Sequence, residues 1–266
     1  LRECGCHVTH TAAAHSIELS KQEHEILGVE FSYPHLTEPD LWRRYVGGYL
    51  ESDILICPSR HSADVMRSYG FYGRLEVIPH GTTIPVGITP LPHHFTVGYL
   101  GAIGPDKGLI YLLQAWKKLN YRDATLILAG RHTTSPFMAS LYQQYGGGNV
   151  QFRGWVKSPS ELYNSISLLC QPSVSEGFGC EVLEAMAHGR PVLCSTGAGA
   201  ADVVPEAWTF QAKNVDQMAD LIDSTKTVIA HKGDPVWQQQ WVDGVREYTW
   251  DKIRARYVGV WKEVLQ

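Results

Sequence analysis

Two glutamates, Glu176 and Glu184, lie on either side of a glycine-bearing turn that leads into a helical pattern within residues 173–196. Gly177 and Gly179 let backbone N–H groups approach a ligand, and the N-terminus of the following helix favours an anion such as diphosphate. Glu176, in the loop, can accept hydrogen bonds from sugar hydroxyls, and Glu184, about one turn into the helix, can accept them from a ribose. We therefore predict that this segment binds sugar, diphosphate and ribose together.

The composition narrows the class of protein. The chain has 266 residues and a mass of 29.7 kDa, with 44% hydrophobic and 19% charged residues, which is typical of a soluble globular protein of one large or two modest domains. A formal charge of −4 and a pI near 6.3 argue against nucleic acid as a partner. No apolar run approaches the roughly 20 residues that span a bilayer, and no signal-peptide pattern is present. We predict a cytoplasmic protein, and peripheral contact with the cytoplasmic face of a membrane stays open.

The six cysteines are predicted to be reduced core residues of a cytosolic protein, and they are Cys4, Cys6, Cys57, Cys170, Cys180 and Cys194. A metal cluster around Cys4, Cys6 and His7 is the alternative, but its spacing matches no common zinc pattern, so we predict no metal site. Cys180 has no base in its surroundings and is interpreted as a packing residue.

Short aliphatic or β-branched runs alternate with helical patterns at least five times, which is typical of βαβ units and a parallel sheet. The predicted strands are 53–57, 75–79, 95–101, 124–130, 149–155, 167–172, 191–195 and 207–210. The predicted helices with defined bounds are 60–69, 106–119, 179–188, 214–229 and 250–265, and further helices are expected between the strands. A proline- and histidine-rich stretch precedes residue 95, and this composition indicates a linker. The predicted divisions are a partial first lobe over 1–85, a linker over 86–94, a second lobe over 95–249, and a final helix over 250–266.

The glutamate pair resembles the Glu-x7-Glu motif of retaining GT-B glycosyltransferases, in the glycogen-synthase-like and mannosyltransferase-like family 4. An isolated pair at this spacing is more often a solvated helix face, but here it stands in an ordered series of matching segments. These segments are Val77–Gly81, Gly98–Gly108, Leu126–Gly130 and Val150–Trp155. The resemblance covers residues 50–266, and 1–49 more loosely. It implies an α/β fold of GT-B type with two Rossmann-like lobes, and a terminal helix that packs back on the first lobe.

The first lobe is short for such a fold. About 90 residues precede the second lobe, enough for about three strands, whereas a complete dinucleotide-type lobe has about six. The glycine-rich loop that faces the donor phosphates in the family has no match here. We expect a truncated chain, and a compact natural variant or a second chain that completes the lobe are the alternatives.

The resemblance assigns roles residue by residue. Lys107 matches the phosphate lysine of the family, with a solvated turn lysine as the alternative. The family arginine that follows Gly101 is replaced by Ala102, so Arg131 or Arg153 is a candidate for binding the phosphate in its place.

Main-chain atoms at Val156 are expected to hold the base, while Trp155 is either a contact or a core residue.

A first-lobe histidine is expected to point across the cleft at the donor sugar, and His10 matches it better than His15, with a structural role as the alternative. The predicted catalytic residues are therefore Glu176, His10 and Lys107. The predicted donor-binding residues are Glu184, Gly177, Phe178, Gly179, Cys180, Gly101, Ala102, Val156 and Arg131. The glycines of the loop 195–199 serve either the sugar or the turn alone.

The implied activity is transfer of a sugar from a UDP- or GDP-sugar to an acceptor hydroxyl, with the anomeric configuration kept. The sequence contains no Asp-x-Asp motif, so no metal cofactor is predicted, and Lys107 with the helix N-terminus is expected to meet the charge of the leaving group. The acceptor is a carbohydrate, a lipid or a small molecule. A nucleotide-sugar epimerase or hydrolase of the same fold, and a non-catalytic nucleotide-sugar-binding lobe or fragment, are the alternatives.

Overall fold

The structure is a computed structural model, and it describes residues 2–3, 22, 25–26, 28, 48–130 and 136–265. Two predicted site residues, His10 and Arg131, lie outside the described residues, as does the cysteine and histidine group from Cys4 to His15.

The first lobe contains a parallel sheet of three strands among the residues described. Its strands are β1 (Arg2–Glu3), β2 (Ile54–Cys57) and β3 (Arg74–Val77), in the order β1-β2-β3. Helix α1 (Arg60–Ser68) connects β2 to β3, and the Ser59 side chain caps its N-terminus by accepting a hydrogen bond from the backbone N–H of Ser62.

The second lobe contains a six-stranded sheet in which every pairing is parallel. Its strands are β4 (Phe95–Leu100), β5 (Ala124–Ala129), β6 (Val150–Gly154), β7 (Leu168–Gln171), β8 (Val192–Ser195) and β9 (Thr209–Phe210), in the order β6-β5-β4-β7-β8-β9. Each lies within two residues of its predicted bounds, and the predicted α/β fold with parallel sheets is confirmed. The long aliphatic runs form central strands because both faces of a parallel sheet are covered by helices.

The helices cover both faces of this sheet. They are α2 (Leu109–Leu119), α3 (Pro136–Tyr145), α4 (Pro159–Ser165), α5 (Cys180–Ala187), α6 (Val215–Lys232) and α7 (Pro235–Gly244). One hydrophobic cluster includes Leu112 of α2 and Leu126 of β5, and the other includes Leu183 of α5 and Leu169 of β7. Burying one such leucine contributes about 2 kcal/mol to the hydrophobic term of folding, so these two layers hold the sheet rigid beneath its loops.

Helix α7 was not among the helices given bounds from the sequence, although its start carries a recognisable signal. The Asp234 side chain accepts a hydrogen bond from the backbone N–H of Trp237, and Pro235 occupies the first turn. Trp237 and Trp241 pack with Trp208 in an aromatic cluster. The missed signal was therefore the Asp-Pro pair.

The final helix, α8 (Trp250–Val264), contacts the first lobe. Its residues Ile253 and Val260 form a buried cluster with Ile56 of β2 and Ile78. The division of the chain into lobes, linker and final helix at the bounds given above stays a prediction. In the part of the chain that the structure describes, no helix combines the length and the apolar character needed to cross a membrane.

One cysteine differs from the expectation of reduced core residues. Cys57, at the end of β2, is disulfide-bonded, so its assignment as a reduced residue is wrong. Cys170, Cys180 and Cys194 are free. The spacing of cysteines along a chain does not determine which of them meet in space, which is why the sequence did not reveal this bond.

Candidate functional site

The candidate site lies at the carboxyl edge of the second sheet, where the order of strands reverses. Strand β4 pairs with β5 on one side and with β7 on the other, so the loops that follow β4 and β7 leave the sheet in opposite directions. Ligands of open α/β sheets bind in the crevice that such a reversal creates. The segments 101–108 and 172–179 line this crevice.

A cavity of about 250 Å³, here called cavity A, opens between these two segments. Its lining residues are His80, Tyr99, Gly101, Ala102, Lys107, Gln171, Glu176, Phe178, Gly179, Cys180 and Glu181. Most of the predicted catalytic and donor-binding residues among those described therefore surround one space. His80 is the first-lobe member of this set.

An ion pair forms one wall of cavity A. The Nζ of Lys107 contacts the carboxylate of Glu176 and lies 3.3 Å from a carboxylate oxygen of Asp106. Burial by itself lowers the pKa of Lys107, but the attraction of Asp106 and Glu176 outweighs it and raises that pKa above its ordinary value. Lys107 is therefore a fixed positive charge at the site, and the reading of it as a solvated turn lysine does not hold.

The turn before α5 presents the helix N-terminus to the same cavity. Gly179 has a φ of 97°, a conformation that glycine adopts without the steric cost of a side chain, and α5 begins at the next residue, Cys180. The first N–H groups of a helix have no partner within the helix. The end of α5 that lines cavity A therefore carries hydrogen-bond donors and the positive end of the helix dipole.

The first lobe holds this turn from behind. The hydroxyls of Ser59 and Ser62 donate to the carbonyl oxygen of Gly177 at 2.7 and 2.8 Å. The ring of Phe178 meets the ring of His80 edge to face, with centroids 5.4 Å apart. Gly177 thus faces α1 rather than the cavity, and its carbonyl group ties the two lobes together.

The loop that follows β8 supports the turn from the other side. The N–H of Gly199 donates to the carbonyl of Glu176 at 3.0 Å, and the N–H of Glu176 donates to the carbonyl of Gly197 at 2.9 Å. A Cβ on Gly197 would lie 2.4 Å from the Val174 carbonyl oxygen. Close approach of backbones therefore accounts for the glycines of this loop.

A second cavity of about 340 Å³, here called cavity B, adjoins the first. Both are lined by Gly101, Ala102, Cys180 and Glu181, so together they form one cleft. The other lining residues of cavity B are Leu100, Gly130, Trp155, Val156, Pro159 and Glu184. The predicted base contact and the predicted ribose contact thus share one space, and Trp155, 64% exposed, is not a core residue.

Glu184 is held in position by a neighbouring helix. The hydroxyl of Tyr163, on α4, donates to one carboxylate oxygen of Glu184 at 2.7 Å. Burial and the nearby charge of Glu184 both raise the pKa of Tyr163, which keeps its proton available for this bond. No other described residue forms a hydrogen bond with the second carboxylate oxygen, which is therefore available to a ligand.

Glu181 is a carboxyl group at the site that the sequence did not single out. It lines both cavities, and one of its carboxylate oxygens lies 3.6 Å from where a Cβ on Gly101 would be. Burial raises the pKa of Glu181 to about 7, and Glu176 and Glu184 act in the same direction. Lys107 and the backbone N–H of Glu181 oppose this rise.

Cys180 has no features of a nucleophile. Burial, followed by the nearby charges of Glu181 and Glu184, raises the pKa of its thiol to about 12. The thiolate is the reactive form of cysteine, and at neutral pH it is therefore scarce here.

The cation that would replace the family arginine is not identified by the described residues. Arg153 is exposed, its guanidinium donates to Gln151 at 3.1 Å, and it lines neither cavity. Arg131, like His10, lies outside the described residues.

The larger cavity of about 600 Å³ between β2 and α8 is a poorer candidate for this chemistry. Its described lining is mostly apolar and aromatic and contains no carboxylate. Volume alone does not define a functional site, whereas convergent charged groups do. It shares His80 with cavity A.

Solved structures with a similar fold include a glycosyltransferase and a protein in complex with a nucleotide sugar. The Anabaena protein Alr3699/HepE, in complex with UDP-glucose, superimposes with a TM-score of 0.73 at 19% identity, over 87% of this chain and 70% of that one. A glycosyltransferase from Rickettsia africae superimposes with a TM-score of 0.72 at 15% identity, over 94% of this chain and 81% of that one. At this identity the likeness concerns the fold, which is that of GT-B glycosyltransferases.

The sequence is also similar to those of known glycosyltransferases. Residues 94–225 match the family model described as glycosyl transferases group 1. An uncharacterized glycosyltransferase of Methanocaldococcus jannaschii is 30% identical over 176 residues, which are 63% of this chain and 45% of that protein. The capsular polysaccharide biosynthesis glycosyltransferase CapM of Staphylococcus aureus is 26% identical over 186 residues, which are 65% of this chain and 48% of that protein.

The chain is thus similar in sequence to group 1 glycosyltransferases, over residues 94–225 for the family model. The chain spans about half the length of these two relatives.

Proposed function

We propose that the protein is a retaining glycosyltransferase of family 4 that moves a sugar from a nucleotide diphosphate sugar to an acceptor hydroxyl without a metal ion. The observation that carries this proposal is the convergence of Lys107, Glu176 and the N-terminus of α5 on one cavity. A lysine and the N-terminus of a helix together suit a diphosphate, and a carboxylate beside them suits sugar hydroxyls.

The arrangement suggests how the residues divide the work. Diphosphate lies between Lys107 and the start of α5, the sugar lies against Glu176, and the ribose binds the free oxygen of Glu184. The bond between the anomeric carbon and the phosphate oxygen breaks, and the acceptor oxygen forms its bond on the same face. The acceptor proton passes to the departing diphosphate, whose charge Lys107 and the helix N-terminus stabilise.

Donor and acceptor classes remain part of the proposal. HepE was solved with UDP-glucose, which is the reason to test UDP donors before GDP donors. The acceptor is a carbohydrate, a lipid or a small molecule, and a second chain that completes the first lobe belongs to the same proposal. The cytoplasmic location stays a prediction.

The test uses binding first and transfer second. We expect UDP- or GDP-sugars to raise the melting temperature, because a ligand that binds the native state stabilises it. Glu176→Ala should largely abolish transfer, Glu184→Ala should chiefly weaken donor binding, and the exposed Asp220→Asn serves as a matched control.

Wild-type kinetics in both cleft variants would refute the assignment. Binding without turnover on any acceptor would favour a non-catalytic lobe, and an altered sugar from donor alone would favour an epimerase or hydrolase.

A further inference from the structure

Gln171, the last residue of β7, has a buried side-chain oxygen with no hydrogen-bond partner among the described residues. The side chain is 1% exposed, and its Nε2 donates to the hydroxyl of Ser173 at 3.0 Å. Leaving such a buried acceptor unpaired costs about 1–3 kcal/mol. Buried polar groups are paired in most native structures, so this exception needs an explanation.

The position of Gln171 supplies one. Gln171 lines cavity A together with Lys107 and Glu176. A Cβ on Gly179 would lie 3.7 Å from Nε2 of Gln171 and 3.6 Å from Cγ of Glu176, so the amide lies beneath the turn that carries Glu176. The side chain of Gln171 therefore lies at the part of the cleft assigned to the sugar.

The chemistry of the group selects its partner. The Oε1 of an amide only accepts hydrogen bonds, and a diphosphate at neutral pH has mainly acceptor oxygens to offer. A sugar hydroxyl, in contrast, can donate. Lys107, the ammonium donor in this cavity, is engaged by Glu176 and Asp106.

We propose that Gln171 accepts a hydrogen bond from a ring hydroxyl of the donor sugar, so that the protein selects sugars that carry a hydroxyl at the contacted carbon. This inference rests on the proposed function, because it requires a sugar in cavity A. It makes Gln171 a specificity residue for the sugar and leaves the nucleotide to other groups.

The experiment compares calorimetric affinities for UDP-glucose and UDP, and for GDP-mannose and GDP, in wild-type protein and three variants. Gln171→Met removes the acceptor at similar length, and we expect it to lower the ratio of nucleotide-sugar affinity to nucleotide affinity about tenfold. Gln171→Glu retains an acceptor and should keep this ratio, and the exposed Gln240→Met should change neither affinity.

Fluorinated donors identify the hydroxyl. In analogues of the donor that binds, each ring hydroxyl is replaced in turn by fluorine, which does not donate. One analogue should lose about tenfold in affinity for wild-type protein and lose nothing further with Gln171→Met.

Stability gives a readout that does not depend on donor binding. Without ligand, Gln171→Met should melt close to the wild-type temperature, because removal of the unpaired oxygen offsets the loss of the hydrogen bond from Nε2 to Ser173. A clear loss of stability would show that the amide is structural and would overturn the inference. An unchanged affinity ratio in Gln171→Met would also overturn it. So would a fall in the ratio of Gln171→Glu as large as that of Gln171→Met, because Gln171→Glu keeps an acceptor.

The two failures are distinguishable. If wild-type protein binds none of the four ligands, the proposed function itself fails and this inference falls with it. If wild-type protein binds a nucleotide sugar and the variants do not differ from it, the inference alone fails.

Discussion

Lys107 and Glu176 form an ion pair that joins the loop after β4 to the loop after β7, across 69 residues of sequence. Their side chains are 12% and 18% exposed, so solvent screens the pair only weakly. The carboxylates of Glu176 and Asp106 neutralise the ammonium group of Lys107. A diphosphate that binds here would interact with the same ammonium group.

This pairing predicts a specific pattern of stability. Lys107→Met leaves two carboxylates without their cation and should lower the free energy of unfolding by about 3 kcal/mol. The double variant Lys107→Met with Glu176→Gln removes the charges of this pair and leaves only that of Asp106, so it should recover part of that loss, but not donor binding. Urea unfolding measures the first effect and calorimetric titration the second, and a double variant less stable than the single one would contradict the pairing.

Tyr163 is predicted to act through Glu184. Tyr163→Phe removes the hydroxyl that orients the carboxylate and should weaken nucleotide diphosphate binding about tenfold. Combined with Glu184→Ala it should add little further loss, because the two groups act as a unit. The exposed Tyr142→Phe is the control, and additive losses in titrations of the double variant would show that the tyrosine acts by another route.

Glu181 predicts a dependence of stability on pH. Its pKa of about 7 in the folded protein lies above the ordinary value of 4.5, so between these values the folded protein binds more protons than the unfolded chain. The contribution of Glu181 to stability is therefore full below about pH 4.5 and is lost as the pH rises through 7. Glu181→Gln should raise the melting temperature at pH 8 and change it little at pH 5, and the same increment at both pH values would rule this out.

Donor binding should depend on pH in the same direction. A bound diphosphate adds negative charge beside Glu181 and raises its pKa further, so binding takes up a proton and weakens as the pH rises from 6 to 8. The loss is up to about tenfold for each unit by which the ligand raises that pKa. Glu181→Gln should remove this part of the dependence, and titrations of both proteins in parallel with UDP and GDP across this range measure it.

The contact between Ser59 and the turn predicts the effect of a single methyl group. A Cβ on Gly199 would lie 2.2 Å from the hydroxyl of Ser59 and 2.3 Å from the carbonyl oxygen of Gly177. Gly199→Ala should therefore push the turn from the first lobe, lower the melting temperature and weaken donor binding. Gly259→Ala, in helix α8, meets nothing within 4 Å and should be neutral or slightly stabilising. Equal melting temperatures for the two variants would exclude the close packing at Gly199.

Most of the fold was predictable because its signals are local. Buried parallel strands such as β4 and β5 are continuous, mostly apolar runs, and each can be recognised from its own six residues. The bounds of helix α7 were not predicted because its signal is a two-residue cap. The disulfide of Cys57 was not predicted because the spacing of cysteines in a sequence does not show which of them bond.

The candidate site divides in the same way. Glu176, Glu184 and Lys107 were predicted because they stand in recognisable patterns. Glu181 and Gln171 were not, since their properties depend on burial, and burial depends on what other segments cover.

By itself the sequence determined the alternation of strands and helices, the glycine turn before α5, and the two glutamates around it. All of these follow from backbone preferences and periodicity within a few residues. Only the tertiary structure decided that Lys107 pairs with Glu176, that Tyr163 orients Glu184, and that the buried oxygen of Gln171 has no partner among the residues described. The physical reason is that a hydrogen bond, an ion pair or a perturbed pKa depends on distances of a few ångströms between atoms, and those distances exist only once remote segments pack around one sheet edge.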